Sequence, residues 1–453
     1  MDILLSKELK ILHENSVSGL DRQQLFPEHI LDKINTLIER KDVEVHLTGK
    51  SFLGKPINCL KLGRGPTKII MWSQMHGDEP TATAALLDLT YLLTTPLLAE
   101  NSDVGVSPYY QDKITIYILP MLNPDGAKQC ERENAQGIDI NRDALALQTP
   151  EGKLLNALVD EIEPDYAFNL HDQHDYYRCG NDGKSTTLAF LAPAFDNDKS
   201  INAPRQRAMA LITDIYEKCD SLIPHGIARY DDEFSPRSFG DQIAAKGIST
   251  ILIESGHYPN DDNRQVARTL NVYALLHSIS KICAEDVYSS KDVNDALERK
   301  YWQIPENNEN KVCDMLIKNL SFSNRSYQAD IAVCKRSRFE SHIYVNEVGD
   351  LSQLHGIETI EAGGYTYEAG RPYQLSEEIV LSNHHYITLL KKGFSHFVGS
   401  TNLIKNQSDY KLIENPEIWH DEHKMKKGTL LGGFFCMKGE RKFALLIDQI
   451  VQF

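Results

Sequence analysis

Along the first 285 residues the apolar positions switch between helical and strand spacing. Residues 20–40 repeat them at helical intervals. The stretch VEVHLTGKSFLGKPINCLKLGRG then reads as two strands around a Gly-Lys-Pro turn, and KIIMWSQ as a strand of the buried type. After His76-Gly77-Asp78-Glu79-Pro80, TATAALLDLTYLL returns to helical spacing, with Pro80 suited to an early helical position. Further strands are predicted at 113–120, 165–171, 186–192 and 249–255, and helices over 151–161, 203–218 and 262–283. This alternation predicts an α/β layered domain with a mostly parallel or mixed sheet.

The pattern stops near residue 285. The next stretch, EDVYSSKDVNDALERKYWQIPENNENK, is charged and polar, and 286–309 reads as a linker. Residues 310–453 then carry short strand signals, among them SHIYVNEVG, HHYITLLKKG and RKFALLIDQIVQF, and predict a smaller strand-rich accessory domain. That domain could bind a partner, guide homo-oligomerisation or buttress the first; the pattern leaves the three open. A chain of 453 residues is too long for one average domain, which agrees with the division.

Charge narrows the partners. The formal net charge is -16, with no cluster of Lys and Arg, so a nucleic-acid backbone is not the expected ligand. No segment approaches the roughly 20 apolar residues of a membrane span. The opening MDILLSKELKILHENS has an early acid where a secretory signal would be basic and then apolar, so a soluble, cytoplasmic protein is expected. The eight cysteines, at 59, 130, 179, 219, 283, 313, 334 and 436, form no Cys-x-x-Cys pair and are expected to be reduced.

Ligands of open α/β sheets gather at strand ends. Polar stations fall at such ends here: His76 and Glu79, Asn123 after ILPML, His171 after AFNL, and Glu254 within ILIESGH. Any one of these histidines could be a hydrogen-bonded packing residue. Two histidines and a glutamate, however, supply the nitrogen and carboxylate donors of a catalytic zinc site with one position left for water. Glu254 would then be free to take a proton from that water. In CERENAQGIDINRDA, Arg132 is a candidate to stabilise an oxyanion, and Asn141 with Arg142 to hold a carboxylate through an amide and a planar fork.

Together these residues resemble the zinc carboxypeptidase family, which includes pancreatic carboxypeptidase A and bacterial relatives. The matching pieces are HGDE at 76–79, NPDG at 123–126, RENAQGIDINRD at 132–143, NLH at 169–171 and ILIE at 251–254, in the family's order. The resemblance implies a catalytic domain within residues 1–285, folded as a three-layer α/β/α sandwich around a mixed, roughly eight-stranded sheet. It implies Zn2+ on His76, Glu79 and His171, with Glu254 as general base and Arg132 polarising the scissile carbonyl. Asn141 and Arg142 would bind the substrate's terminal carboxylate.

The chain departs from the digestive members near Tyr230, the nearest candidate for their mobile tyrosine, which stands in the poorly matching context HGIARYDDEFSPRSFG. Asp231, Asp232 and Glu233 could line the pocket and favour a basic substrate, or lie on the surface. Asp172, His174 and Asp175 flank the third ligand, and His257 comes soon enough after the base to touch substrate. The expected activity is removal of a C-terminal residue from a peptide. The alternative is an amidohydrolase or deacylase acting on an N-acyl amino acid or a cell-wall peptide fragment; either substrate carries a free carboxylate. A binding module without chemistry is the third reading, and the intact base argues against it.

Overall fold

Ile69, Ile70, Met71 and Trp72 are all fully buried, yet they face opposite ways. Ile69 and Met71 join one apolar cluster, Ile70 and Trp72 another, as the two-residue period of a strand requires. The same division recurs where Phe168 and Leu170 enter the first cluster and Ala167 the second. A sheet apolar on both faces has to be covered twice. Helices Lys7–Glu14, Pro27–Ile38, Thr81–Leu93, Ala203–Leu222 and Gln265–Cys283 contribute to the first cluster, and Pro150–Ile162 and Phe239–Ala245 to the second. The result is the α/β/α sandwich that the resemblance implied.

The computed structural model describes residues 6–96, 110–181, 184–284, 291–322, 325–336, 342–416, 425, 427–430, 432–446 and 449–453. The chain divides into two units, Met1–Asn308 and Glu309–Phe453. The first holds strands β1 (Glu44–Lys50), β2 (Pro56–Gly63), β3 (Thr67–Ser73), β4 (Ile114–Leu119), β5 (Tyr166–Asp172), β6 (Arg178–Cys179), β7 (Leu188–Leu191), β8 (Ile227–Arg229), β9 (Ser249–Ser255) and β10 (Asn307–Asn308). Eight of them form one mixed sheet in the order β1-β2-β4-β3-β5-β9-β7-β8, while β6 and β10 pair separately. Its centre, β4-β3-β5-β9, is parallel; β1, β2 and β7 add antiparallel pairings. The chain leaves β3 for β4 on one side and continues to β5 on the other, which opens a crevice at their C-terminal ends.

Three sequence expectations need correction. The helix read over 20–40 begins at Pro27: Phe26 caps it in extended conformation and donates its N–H to His29 Nδ1 at 3.2 Å. The linker read over 286–309 is largely part of the first unit. Its helix Lys291–Tyr301 docks on Ala203–Leu222, where Gln206 Nε2 donates to Asp295 and Glu298 at 2.8 Å each and Lys300 pairs with Glu217 at 2.7 Å. Tyr301 is fully buried there. A helix that is polar on all but a narrow stripe looks like a linker when only composition is weighed. The third correction lies in the second unit, where HHYITLLKKG is not a strand. Ser382 Oγ accepts from His385 N–H at 3.2 Å and starts the helix Asn383–Lys391, whose buried Tyr386, Leu389 and Leu390 keep helical spacing.

The second unit is otherwise rich in strands, as expected. Val312–Phe322, Arg325–Lys335 and Ile343–Gly349 form an antiparallel meander, and His355–Glu361 pairs parallel with the first of them. The sheet continues through Thr366–Ala369, Gly432–Met437, Glu440–Leu446 and Gln449–Gln452, to eight strands in all.

Candidate metal centre

The turn that presents His76 and Glu79 is set by the Gln74 side chain and by close backbone packing at Gly77. Gln74, directly after β3, adopts a left-handed conformation with φ 49° and spans the turn: its Nε2 donates to Gly77 O at 2.9 Å and its Oε1 accepts from Thr83 Oγ1 at 2.8 Å. Gly77 packs directly on the backbone of Gly126, since a Cβ on Gly77 would lie 2.0 Å from the Gly126 carbonyl carbon. The glycines of HGDE and NPDG are therefore one contact. Asn123 proves to be a scaffold residue: its Oδ1 accepts from Gly126 N–H at 2.9 Å and its Nδ2 donates to Met75 O and Glu133 O at 3.1 Å each.

Three side chains converge. Glu79 Oε1 lies 2.7 Å from His76 Nδ1, Glu79 Oε2 lies 2.8 Å from His171 Nδ1, and the two Nδ1 atoms are 3.2 Å apart. All three residues are buried, and one donor atom from each falls within 4.8 Å of the others. Two ligands held about 2.0 Å from one tetrahedral ion are about 3.3 Å apart, so the imidazole pair already has the required spacing. The carboxylate contacts are a few tenths shorter, as hydrogen bonds are. Donor chemistry and spacing fit a bound divalent metal.

Asp139, which the sequence reading passed over, organises this group. Its Oδ1 lies 3.1 Å from His76 Nε2, and its Oδ2 accepts from Arg132 Nε at 3.1 Å. Arg132 is thereby brought over the donors, with Nη1 3.1 Å from His76 Nδ1 and 3.2 Å from Glu79 Oε1. A carboxylate three residues before Arg142 in GIDINRD was the available signal; a carboxylate on the far nitrogen of a ligand histidine is a recurring support.

Burial and charge pull these groups apart. Burial works to lower the His76 pKa, but Glu79 and Asp139 outweigh it and hold it up at about 9. For His171 burial prevails over Glu79 and the pKa is lowered. Glu79 is buried too, yet the two imidazoles keep it well below the usual carboxylate range. Burial, followed by the negative charge of Glu79, raises Glu254 well above that range. Glu254 stands directly opposite His171 in the pairing of β9 with β5.

Asn141 and Arg142 form a short 3-10 turn, Ile140–Arg142, whose start is capped by Asp139. Asn141 Oδ1 accepts from Phe239 N–H at 2.9 Å, and Arg142 Nη1 donates to Asn141 O at 2.8 Å and Ser238 Oγ at 3.3 Å. Arg142 is exposed. Tyr230 pairs its hydroxyl with that of Tyr177, 3.2 Å away, and His174 packs on the Tyr177 ring with centroids 4.5 Å apart. His257 is half-buried, and its carbonyl accepts from Thr187 Oγ1 at 3.1 Å. Of the three acids near Tyr230, Asp232 is spoken for by Lys199 and by Arg205, each 2.9 Å away, which removes it as a counter-charge for substrate.

Residues 30–169 match the family model described as zinc carboxypeptidase. The match stops short of His171 and Glu254, whose place in the site rests on geometry. An uncharacterised protein of Zymomonas mobilis is 27% identical over 144 residues, 31% of this chain and 36% of that protein. Carboxypeptidase SOL1 of Arabidopsis thaliana is 27% identical over 175 residues, 32% of this chain and 34% of that protein. The chain thus spans about a third of the length of these curated relatives. Among solved structures, a metallo-carboxypeptidase from Pseudomonas aeruginosa in complex with (2-guanidinoethylmercapto)succinic acid aligns with a TM-score of 0.46 and 17% identity, over 58% of this chain and 70% of that one.

Proposed function

We propose that the chain is a zinc-dependent carboxypeptidase that hydrolyses the C-terminal peptide bond of a peptide. The observation that carries this is the convergence of His76, Glu79 and His171, with Glu254 on the adjacent strand. Those three side chains would hold the ion. When bound, zinc supplies Lewis acidity, polarising the scissile carbonyl and making water a stronger acid. Glu254 takes the proton of the attacking water on its carboxylate and returns it to the leaving nitrogen. Arg132, held at Nε by Asp139 and at Nη1 by Glu79, would offer Nη2 to the oxygen on which charge develops.

Asn141 and Arg142 would receive the terminal carboxylate. Because Asn141 Oδ1 accepts from Phe239 N–H, its Nδ2 would be the end to donate to a ligand acceptor. Arg142 keeps Nη2 and Nε for a planar acceptor. Tyr230 and His257 are assigned to the substrate side, from the loops that come after β8 and β9. A cytoplasmic setting suits the thiols of Cys59, Cys179, Cys219, Cys313 and Cys436, which are free. Among the described residues no helix is long and apolar enough to cross a membrane.

A panel of short peptides, each with a free and an amidated C-terminus, tests the reading together with N-acyl amino acids. Hydrolysis of the free form alone is expected. Equal rates on both forms would reject exopeptidase action, and turnover confined to N-acyl amino acids would make the protein a deacylase.

A further inference from the structure

Arg264 has no part in the chemistry above, yet it touches the segments that follow His171 and Glu254 and, through Asp172, is linked to the turn of Glu79. It is 4% exposed and adopts a left-handed backbone conformation, φ 53°, at the start of helix Gln265–Cys283. Its Nη1 donates to Ser255 O at 2.8 Å, one residue past Glu254. Its Nη2 donates to Gln173 O at 2.7 Å and to Asp175 Oδ1 at 2.5 Å, in the loop that continues from His171. Nη1 also lies 3.7 Å from Asp172 Oδ2. That oxygen accepts from Thr81 Oγ1 at 2.7 Å and Thr81 N–H at 3.3 Å, at the head of the helix just after Glu79. The Asp172 N–H donates to Glu79 Oε2 at 3.2 Å, which closes the circuit.

A planar guanidinium with five donors can hold several acceptors in fixed directions; an ammonium cannot. We infer that Arg264 is a positioning residue for the metal centre, clamping the β5 loop, the β9 loop and the Glu79 turn so that the donors of His171 and Glu79 stay converged. The inference rests on the metal reading above. Outer partners that fix ligand direction are typically worth about tenfold to a hundredfold in metal affinity.

The test is Zn2+ and Co2+ affinity, by chelator competition, of the full chain and of Arg264→Lys, with the cobalt absorption spectrum recorded for each. Arg268→Lys serves as control, since Arg268 is equally buried on the same helix but pairs with Asp88, at 2.7 Å through both Nε and Nη2. Arg264→Lys is expected to weaken both metals at least tenfold and to alter the cobalt spectrum, while Arg268→Lys lowers thermal stability and leaves affinity within twofold. Unchanged affinity in Arg264→Lys, or an equal loss in both variants, overturns the inference. If Arg264→Lys does not fold, Asp175→Asn removes one partner of the clamp: a threefold or larger loss is expected, and none overturns it. A full chain that binds neither metal defeats the metal reading itself, a result distinct from any difference among variants.

Discussion

His171 and Glu254 are register partners across the parallel strands β5 and β9. Neighbouring strands lie about 4.8 Å apart and paired residues project to the same face, so the proposed third donor and the proposed base are neighbours by construction of the sheet. Glu254→Gln keeps the shape and removes the proton acceptor. Turnover is expected to fall by about 10^2-fold to 10^4-fold with metal content unchanged. Metal analysis and steady-state rates on one preparation check this; a variant that keeps most of its activity would place the base elsewhere.

Asp139 links His76 Nε2 to Arg132 Nε, and in the proposed mechanism this would couple ligand direction to oxyanion stabilisation. Asp139→Asn should lower metal affinity by about tenfold to a hundredfold. It should also slow turnover at saturating metal, because Arg132 loses its anchor. Titrating activity against added zinc separates the two effects. Full recovery of the rate at high zinc would limit Asp139 to the ligand role.

The scaffold carries a heavier electrostatic liability at Asp88, whose two oxygens meet Arg268 Nε and Nη2 and also the Val17 N–H at 2.7 Å. Both partners are buried. Removing one leaves an uncompensated buried charge, which costs about 3–5 kcal/mol. Asp88→Ala is therefore expected to lower the unfolding midpoint strongly and to loosen the N-terminal segment around Val17, as hydrogen exchange would report. A loss under about 1 kcal/mol would mean that water reaches Arg268.

Much of this was legible in the sequence, for physical reasons. β3, β5 and β9 are apolar on both faces, so their runs are continuous and their ends easy to mark; the candidate site residues sit at those ends. Asp139 was missed because, although its place three residues before Arg142 was a local signal, its contact with His76 is long-range and shows only when the loop folds back. Arg264 was invisible for the same reason. Asn123 misled because a residue that caps a helix and one that binds a ligand occupy the same strand-end position. The helix Asn383–Lys391 was misread because Tyr386, Ile387, Leu389 and Leu390 form a short apolar run that fits either period.

Acid should weaken the fold through His277. Burial, with Lys281 nearby, brings its pKa down to about 4, below the ordinary value of 6.5. Between those two values the unfolded chain binds a proton that the folded chain refuses. Stability is then fully present above pH 6.5, falls as pH drops toward about 4, and falls no further below it. Allowing for partial exposure of the ring, the effect is on the order of 1–2 kcal/mol. Urea midpoints at neutral and mildly acid pH should differ less in His277→Gln than in the unaltered chain; an identical difference would assign the acid sensitivity to other groups.

Arg142 offers the sharpest test of substrate class. Its Nη1 is held by Asn141 O and Ser238 Oγ, which fixes the plane of the guanidinium and leaves its other edge for a two-oxygen acceptor. Lysine preserves the charge and loses that geometry. For peptides with a free C-terminus, Arg142→Lys should raise KM by about tenfold to a hundredfold, in line with loss of a charge-assisted pair worth about 1.5–3 kcal/mol. The kcat should change little, because the carboxylate is bound equally in ground and transition states. For amidated peptides, which lack the acceptor, the substitution should leave the already poor kcat/KM nearly unaltered, so that the preference for a free terminus collapses. Kinetics on matched free and amidated pairs, for both proteins, read this out directly. A variant that loses as much on amidated as on free substrates would show that Arg142 supports the turn Ile140–Arg142 and not the ligand.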